Sequence, residues 1–381
     1  MSVRAYPLPR RQIDLYQFAS EALAPAGVQI NGPQPWDIQV HHPQTINRFL
    51  ANGRLGVGEA YMDGWWDCDR LDEFVARVLR TGAMSHVSKQ GLALAWLRAS
   101  IMNLQSRSRS FAVGERHYDL GNELFEAMLD SRMVYTCGYW AKARTLEEAQ
   151  EHKLDLVCRK IGLQRGMRVL DIGCGWGSFA RFAAERYGVE VLGVTVAREQ
   201  ADRGAELCAG LPVELRLQDY RDVDGEFDRV VSLGMFEHVG YKNYRRYMQC
   251  VRRVLKPEGM FLLHTIGSSR TKRTFDPWLE KYIFPNGMLP SIAQIGGAIE
   301  GLFVMEDWHN FGADYDKTLM AWWRNFSDAW PRLRSRYGDR FFRMWRFYLL
   351  SCAGSFRARH NQLWQVVMAP SGVAGGYAGL R

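Results

Sequence analysis

The stretch that most constrains this chain is Val169-Leu170-Asp171-Ile172-Gly173-Cys174-Gly175-Trp176-Gly177. An apolar run over 167–172 breaks into glycine at alternate positions, and 178–187 then carries helical periodicity. Run, turn and helix in that order describe a buried parallel strand feeding the N-terminus of a helix. Glycine at the turn removes the Cβ that would hold a nucleotide-sized ligand away from the backbone. The spacing GxGxG departs from the dinucleotide fingerprint GxGxxG, and the lysine of a P-loop is missing. A nucleoside ligand without a phosphate tail fits what remains. A purely structural strand-to-helix turn is the plainer alternative.

Beyond the turn the pattern alternates as a doubly wound fold does. Residues 189–195, 213–218, 227–233 and 259–265 read as strands, with helices over 199–208 and 243–255. Two late apolar runs, 303–308 and 363–368, read as an antiparallel edge pair, and a long aromatic helical segment, 315–356, lies between them. A strand ending in D-I-G-C-G-W-G is the usual opening of an S-adenosylmethionine (SAM) methyltransferase. The expected fold is therefore α/β: a class I SAM-dependent methyltransferase with a Rossmann-like, seven-stranded sheet and an antiparallel edge strand.

Upstream, residues 13–100 read as mostly helical, with helices over 13–23 and 71–79 and a short strand at 36–40. The pair Trp65-Trp66 is either plain core or, with Tyr61 and Met62, the lining of an apolar groove. Gln105-Ser106-Arg107-Ser108-Arg109-Ser110 reads as an exposed linker. It is either a solvated loop or a basic strip for anionic headgroups, each Arg contributing about 1 kcal/mol there. The expected division is a mostly helical, membrane-engaging unit over 1–100, a linker over 101–114 and a SAM-dependent catalytic domain over 115–381.

Composition narrows the partner. Lys+Arg 49 against Asp+Glu 41 gives +8, which favours an anionic partner, nucleic acid or membrane. The load of 13 Trp, 16 Tyr and 19 Phe suits an amphipathic interface better than a purely phosphate-reading one. The seven cysteines are odd in number, scattered and without a CxxC pair, so neither a disulfide framework nor a zinc site is expected. The Arg/Pro-rich first residues lack an apolar core, and no apolar run reaches the length of a membrane span. A reduced cytoplasmic protein, peripheral on the inner membrane face, is the expectation.

In an open α/β sheet the ligand sits beyond the carboxyl ends of the strands. Those ends offer Asp171, Gly173, Gly175 and Gly177, then Thr195 with Gln200, then Gln218, Asp219 and Tyr220. An acidic residue commonly ends the second strand to hold the ribose; here Thr195 and Gln200 take that place. Asp219 is a candidate adenine-amine acceptor with Tyr220 stacking beside it, a surface role for Asp219 being the alternative. Glu237 and His264 close the fourth and fifth strands, where a base or anion site would be built. His238, next to Glu237, is expected to point away and to be structural.

The blocks YxDGWW, HYDLGNELF, YTCGYW, VLDIGCGWG, GVTVAREQ, QDYRD, MFEHVG, LLHTIG, FPNGMLPS, HNFGADYDKTLMAW and CAGSFRARHNQLWQVV, in this order, closely resemble cyclopropane-fatty-acyl-phospholipid synthases, from about residue 31 to 368. The resemblance implies transfer of a methylene from SAM to a cis double bond of a phospholipid acyl chain. It implies a bound bicarbonate or carbonate ion as the base, held by Cys137, Glu237, His264, Ile266 (through its backbone) and Tyr315. Cys352 matches a cysteine of the family's active site, here read as site-lining because a thiol nucleophile beside a carbocation would be alkylated. Tyr135 and Thr136 of the YTCGYW block go with the cofactor site. A homodimer is implied as well.

The implied carbocation gives aromatic faces a role, each worth about 2 kcal/mol or more when desolvated. Candidates are Tyr139, Trp140, Phe236 and Tyr315. Drawing about nine methylenes out of a bilayer costs on the order of 7 kcal/mol unless an apolar tunnel receives them. Three alternatives remain, the third being a catalytically dead lipid-binding protein, against which the intact glycine turn argues. A SAM methyltransferase with another acceptor, or one that methylates without ring closure, would not need the Cys137, Glu237, His264 and Tyr315 set. An RNA-binding protein would need aromatics interleaved with Lys/Arg on one element, and the serine-arginine linker has none. Nucleic acid is therefore not an expected partner.

Overall fold

The computed structural model describes residues 10–82 and 121–381. The linker at 101–114 and the HYDL half of the HYDLGNELF block lie outside the described residues.

The first helices are α1 (Arg10–Leu23), α2 (Thr45–Met62) and α3 (Leu71–Thr81), with a small antiparallel pair, β1 (Gln39–Val40) and β2 (Trp66–Asp67). Helix α2 is absent from the sequence reading because Gly53, Gly56 and Gly58 look like breakers. Two of them are packing residues. A Cβ on Gly58 would lie 2.3 Å from Trp278, and one on Gly56 2.3 Å from the Arg48 carbonyl. The double Trp resolves as core: Tyr61, Met62 and Trp66 are buried, and Trp66 Nε1 donates to the Val57 carbonyl at 3.0 Å. Trp65 instead stacks on His42 under the Arg48 guanidinium.

Next come α4 (Asn122–Met128) and α5 (Leu146–Lys160), the latter capped by Thr145, whose hydroxyl accepts from the Glu148 amide. The sheet strands are β3 (Arg168–Ile172), β4 (Glu190–Thr195), β5 (Val213–Leu217), β6 (Phe227–Leu233), β7 (Leu255–Ser268), β8 (Val304–Asn310) and β9 (Asn361–Ala369). Their order is β5-β4-β3-β6-β7-β9-β8. The first five run parallel, and β9 is antiparallel to both of its neighbours. The late pair is thus antiparallel as expected, with β9 inserted inside β8. Helices α6 (Ser178–Tyr187), α7 (Arg198–Leu207), α8 (Tyr244–Val254), α9 (Pro277–Tyr282) and α10 (Ile292–Ile299) complete the layers.

The long aromatic segment is α11 (Ala313–Arg357), broken at Gly338 by non-helical backbone, φ 75° and ψ 162°. Its two arms bring Tyr315 and Trp322 from one side against Trp345, Tyr348 and Phe356 from the other, in one core that also takes in Val57, Trp66 and Phe74. At Gly354 a Cβ would lie 2.4 Å from the Asp72 carbonyl, so α3 rests directly on α11. Arg357 ties the contact, donating to Asp72 at 2.6 Å and to both Asp316 oxygens at 2.9 Å.

Candidate active site

The pocket lies where the sheet rule places it, over the carboxyl ends of β3, β4, β5 and β6. Tyr135, Thr136, Asp171, Gly173, Gly175, Thr195, Gln200, Gln218, Asp219 and Tyr220 all line it. The three glycines of the turn have positive φ and different duties. A Cβ on Gly173 would strike Met235 at 2.5 Å, whereas one on Gly175 meets nothing within 4 Å. Gly177 does not line the pocket. It opens α6, and its Cβ would press on Cys208 at 2.9 Å and Leu215 at 3.0 Å, so it is a packing residue.

On the second wall, the Thr195 hydroxyl donates to Gln200 Oε1 at 3.1 Å, and both side chains are buried. Asp219 is buried too, its carboxylate accepting from the Arg221 amide and guanidinium, each at 2.9 Å. Tyr220 packs against Tyr247 at the pocket edge. Asp171 sits under the glycine turn, and burial pushes its carboxyl up to about 7 against the opposing pull of Lys153.

Lys153 is a site residue the sequence hid. It lies on α5 within a run of charged residues that looks solvated, yet it is fully buried, lines the pocket and donates to Thr136 Oγ1 at 2.9 Å. Burial brings its ammonium down to about 8. His238 is the second miss. It lines the pocket with Nδ1 unpartnered among the described residues, and burial lowers its imidazole to about 4. The 3-10 turn over Phe236–His238 breaks the strand alternation that predicted it would point away. Phe236 is the converse. It stacks on Tyr244 at 4.4 Å in the core behind the sheet and offers no face to the pocket.

Beside this pocket lies a second, drier cluster. The Ile266 amide donates to Glu237 Oε1 at 2.7 Å, while Glu237 Oε2 and His264 Nε2 are buried with no hydrogen-bond partner among the described residues. The Ile266 amide, part of the backbone that the resemblance assigns to the anion, orients Glu237. Burial raises the Glu237 carboxyl to about 7 and holds His264 well below the usual imidazole range, in its neutral form. Cys137 is fully buried, donating to the Gly138 carbonyl at 3.2 Å, and burial keeps it a thiol. Tyr315 is buried between Trp322 and Phe356, and burial holds its hydroxyl well above the usual phenol range, with Cys137, Glu237 and Cys352 among the groups around it. Cys352, half-buried on the second arm of α11, is pushed up to about 12 by burial, which suits a lining residue and not a nucleophile.

Segment 137–140 is held by Thr318, which lies in the HNFGADYDKTLMAW block but is given no role there. Thr318 Oγ1 accepts from the Gly138 amide at 3.1 Å and from Trp140 Nε1 at 2.9 Å, and itself donates to the Asp314 carbonyl. Tyr139 packs on Phe311 and His309.

Comparison with known proteins agrees with this geometry. The mycolic acid cyclopropane synthetase family model matches residues 105–366. The chain is 56% identical over 357 residues to the cyclopropane-fatty-acyl-phospholipid synthase of Escherichia coli strain K12, covering 93% of each. It is 33% identical over 367 residues to the tuberculostearic acid methyltransferase UfaA1 of Mycobacterium tuberculosis, covering 89% of this chain and 84% of the other. Among solved structures, the mycolic acid cyclopropane synthase CmaA1 complexed with SAH and CTAB superposes with a TM-score of 0.64 at 31% identity, over 68% of this chain and 97% of that one. The fold is that of a class I methyltransferase, and the chain, a SAM-dependent transferase, belongs to the mycolic acid cyclopropane synthetase family.

Proposed function

We propose that the protein transfers a methylene group from SAM to the cis double bond of unsaturated acyl chains in membrane phospholipids, closing a cyclopropane ring. One observation carries the reading: a carboxylate oxygen and an imidazole nitrogen, Glu237 Oε2 and His264 Nε2, unpartnered among the described residues and buried beside the glycine-turn pocket. Ring closure needs a base beside the cofactor, and these two groups can hold one. The alkene carbons attack the sulfonium methyl, the C–S bond breaks, and the acyl chain is left as a carbocation. Loss of one proton from the new methyl frees the electron pair that closes the ring.

The buried pair fits a bicarbonate or carbonate ion, since Glu237 offers an acceptor and His264 a ring nitrogen with no other partner among the described residues. Bound there, the ion supplies the base for the new methyl. The chain's own residues do the rest. Glu237 and His264 orient the ion, Ile266 fixes Glu237, and Cys137 and Tyr315 line the site as a buried, un-ionised thiol and phenol. The ring of Tyr315 gives a cation a face that does not react, and exclusion of water preserves it. Asp171, the glycine turn, Thr195 and Gln200 bind the cofactor.

The remaining expectations belong to this reading. Residues 1–100 form the membrane-engaging unit, 101–114 the linker and 115–381 the catalytic domain, working as a homodimer at the cytoplasmic face of the membrane. No described helix is long and apolar enough to cross a membrane, and the +8 charge favours an anionic surface. The test is lipid mass spectrometry after incubation with SAM and unsaturated phospholipid vesicles, with bicarbonate present and then removed. A gain of about 14 mass units (one CH₂) on a chain that now resists hydrogenation is expected, and it should depend on bicarbonate. The same gain on a chain that still hydrogenates would leave a methyltransferase without ring closure.

A further inference from the structure

Three strands set three polar side chains in one row. In the register of β7, β9 and β8, Gln365 lies directly opposite His264 on one side and His309 on the other. Directly opposed residues share a sheet face. Gln365 and His264 are 0% and 1% exposed, so the row runs through the interior. Gln365 Nε2 and His264 Nδ1 are 3.4 Å apart. At the far end Lys160 Nζ is 3.1 Å from His309 Nδ1. An ammonium has no acceptor, so His309 Nδ1 accepts and the proton of that ring stands on Nε2. Gln365 Oε1, buried and unpartnered among the described residues, is the acceptor left over between the two rings. Lys160 thus fixes the His309 tautomer at one end of the row, and at the other the Gln365 carboxamide N–H faces His264 Nδ1.

We propose that Gln365 is a positioning residue that holds His264 in the Nε2–H tautomer, so that the site offers an N–H donor beside the Glu237 carboxylate. This rests on the function proposed above. Which ring nitrogen carries the proton is set by the bond the other one makes. With Nδ1 accepting from Gln365, the free Nε2 points away from β9. A planar oxyanion bearing one O–H and one O⁻ matches this pair, its hydroxyl donating to Glu237 and its oxyanion accepting from His264. The same tautomer bars His264 from acting as the base, since its remaining nitrogen already holds a proton. Sequence alone conceals this, because Gln365 sits 101 positions from its partner.

The experiment reads the tautomer directly, by two-bond proton–nitrogen correlation on the full chain labelled with ¹⁵N-histidine, His264 being assigned by difference with His264→Asn. The native protein should show Nε2 protonated and Nδ1 unprotonated. Gln365→Glu replaces a donor with an acceptor and should move the proton to Nδ1. Gln365→Leu, which buries no charge, should give a mixture. Both variants should lose roughly 10–100-fold in turnover with SAM affinity within about twofold of native. A native His264 protonated on Nδ1 overturns the proposal, as does a Gln365→Leu variant with native tautomer and native turnover. Because the labelled native protein needs no substrate, absence of ring formation on vesicles would sink the proposed function and leave the tautomer assignment standing.

Discussion

Burial moves the Glu237 carboxyl from 4.5 to about 7, and the same shift acts on stability and on turnover. The folded state holds this proton more tightly than the unfolded chain does. Below about 4.5 both states are protonated and the site costs nothing; as pH rises through 7 the folded state is left with a buried charge, and stability falls. Glu237→Gln removes that charge. It should therefore raise the melting temperature at about pH 8, by a free energy on the order of 3 kcal/mol, with the gain fading toward pH 4.5. The same variant should bind SAM as before and turn over roughly 100-fold more slowly, since the lost acceptor faces the dry cluster. Calorimetric melting across pH and SAM titration check both halves; equal losses of SAM affinity and turnover would instead move Glu237 into the cofactor site. The glycine turn separates two effects in the same way. Gly175→Ala adds a methyl at φ 55° where nothing lies within 4 Å, so SAM affinity should fall more than stability. Gly177→Ala drives its methyl against Cys208 and Leu215 and should cost about 1–3 kcal/mol of stability, seen as a lower denaturation midpoint.

At the scale of elements, one hydroxyl on α11 holds the segment that carries Cys137. Thr318→Val keeps the shape but removes the acceptor for the buried Gly138 amide and the half-buried Trp140 indole, leaving both donors without it. Stability should fall by about 1–3 kcal/mol, and turnover should fall while SAM affinity holds, because the cofactor pocket does not include Thr318. A thermal melt beside a SAM titration separates the two. Thr318 also marks where sequence reading stops. Strands β3 to β6, the antiparallel β8 and β9 and the glycine turn were legible because each is announced by a local apolar period or a local breaker. Lys153 was not, since a lysine among glutamates looks solvated until α5 is seen to press it on Thr136. Helix α2 was masked by glycines, one of which, Gly58, admits a Trp278 that lies far along the chain. His238 lines the pocket and Phe236 packs in the core, placements set by a 3-10 turn that strand alternation does not describe. Local signals survive in sequence; close approaches between distant elements do not.

For the whole molecule, the contact of α3 on α11 matters because α11 also carries Tyr315. Arg357 joins them: its guanidinium reaches Asp72 and Glu73 from α3 and Asp316 from the first turns of α11. Asp72 is buried, and the hydrogen bonds of Arg70 and Arg357 hold its carboxyl below the usual range although burial alone would raise it. Removing Arg357 leaves that carboxylate short of a partner in a tight contact where Gly354 admits the Asp72 carbonyl. Because the guanidinium is about one-fifth exposed, the loss is smaller than for a fully buried pair. Arg357→Met, which keeps the aliphatic stem, should cost about 2 kcal/mol. Glu73 and Asp316 can turn to water, so the cost should concentrate on Asp72. The double variant Arg357→Met, Asp72→Asn should therefore recover part of the lost stability, as a double-mutant cycle would show. If α3 steadies α11, and through it Tyr315 one position before Asp316, the single variant should also lose turnover on phospholipid vesicles with SAM affinity unchanged. Full turnover in a destabilised Arg357→Met protein would mean that the two ends of the chain are joined for stability alone, and that Tyr315 is held by Trp322 and Phe356 without help from α3.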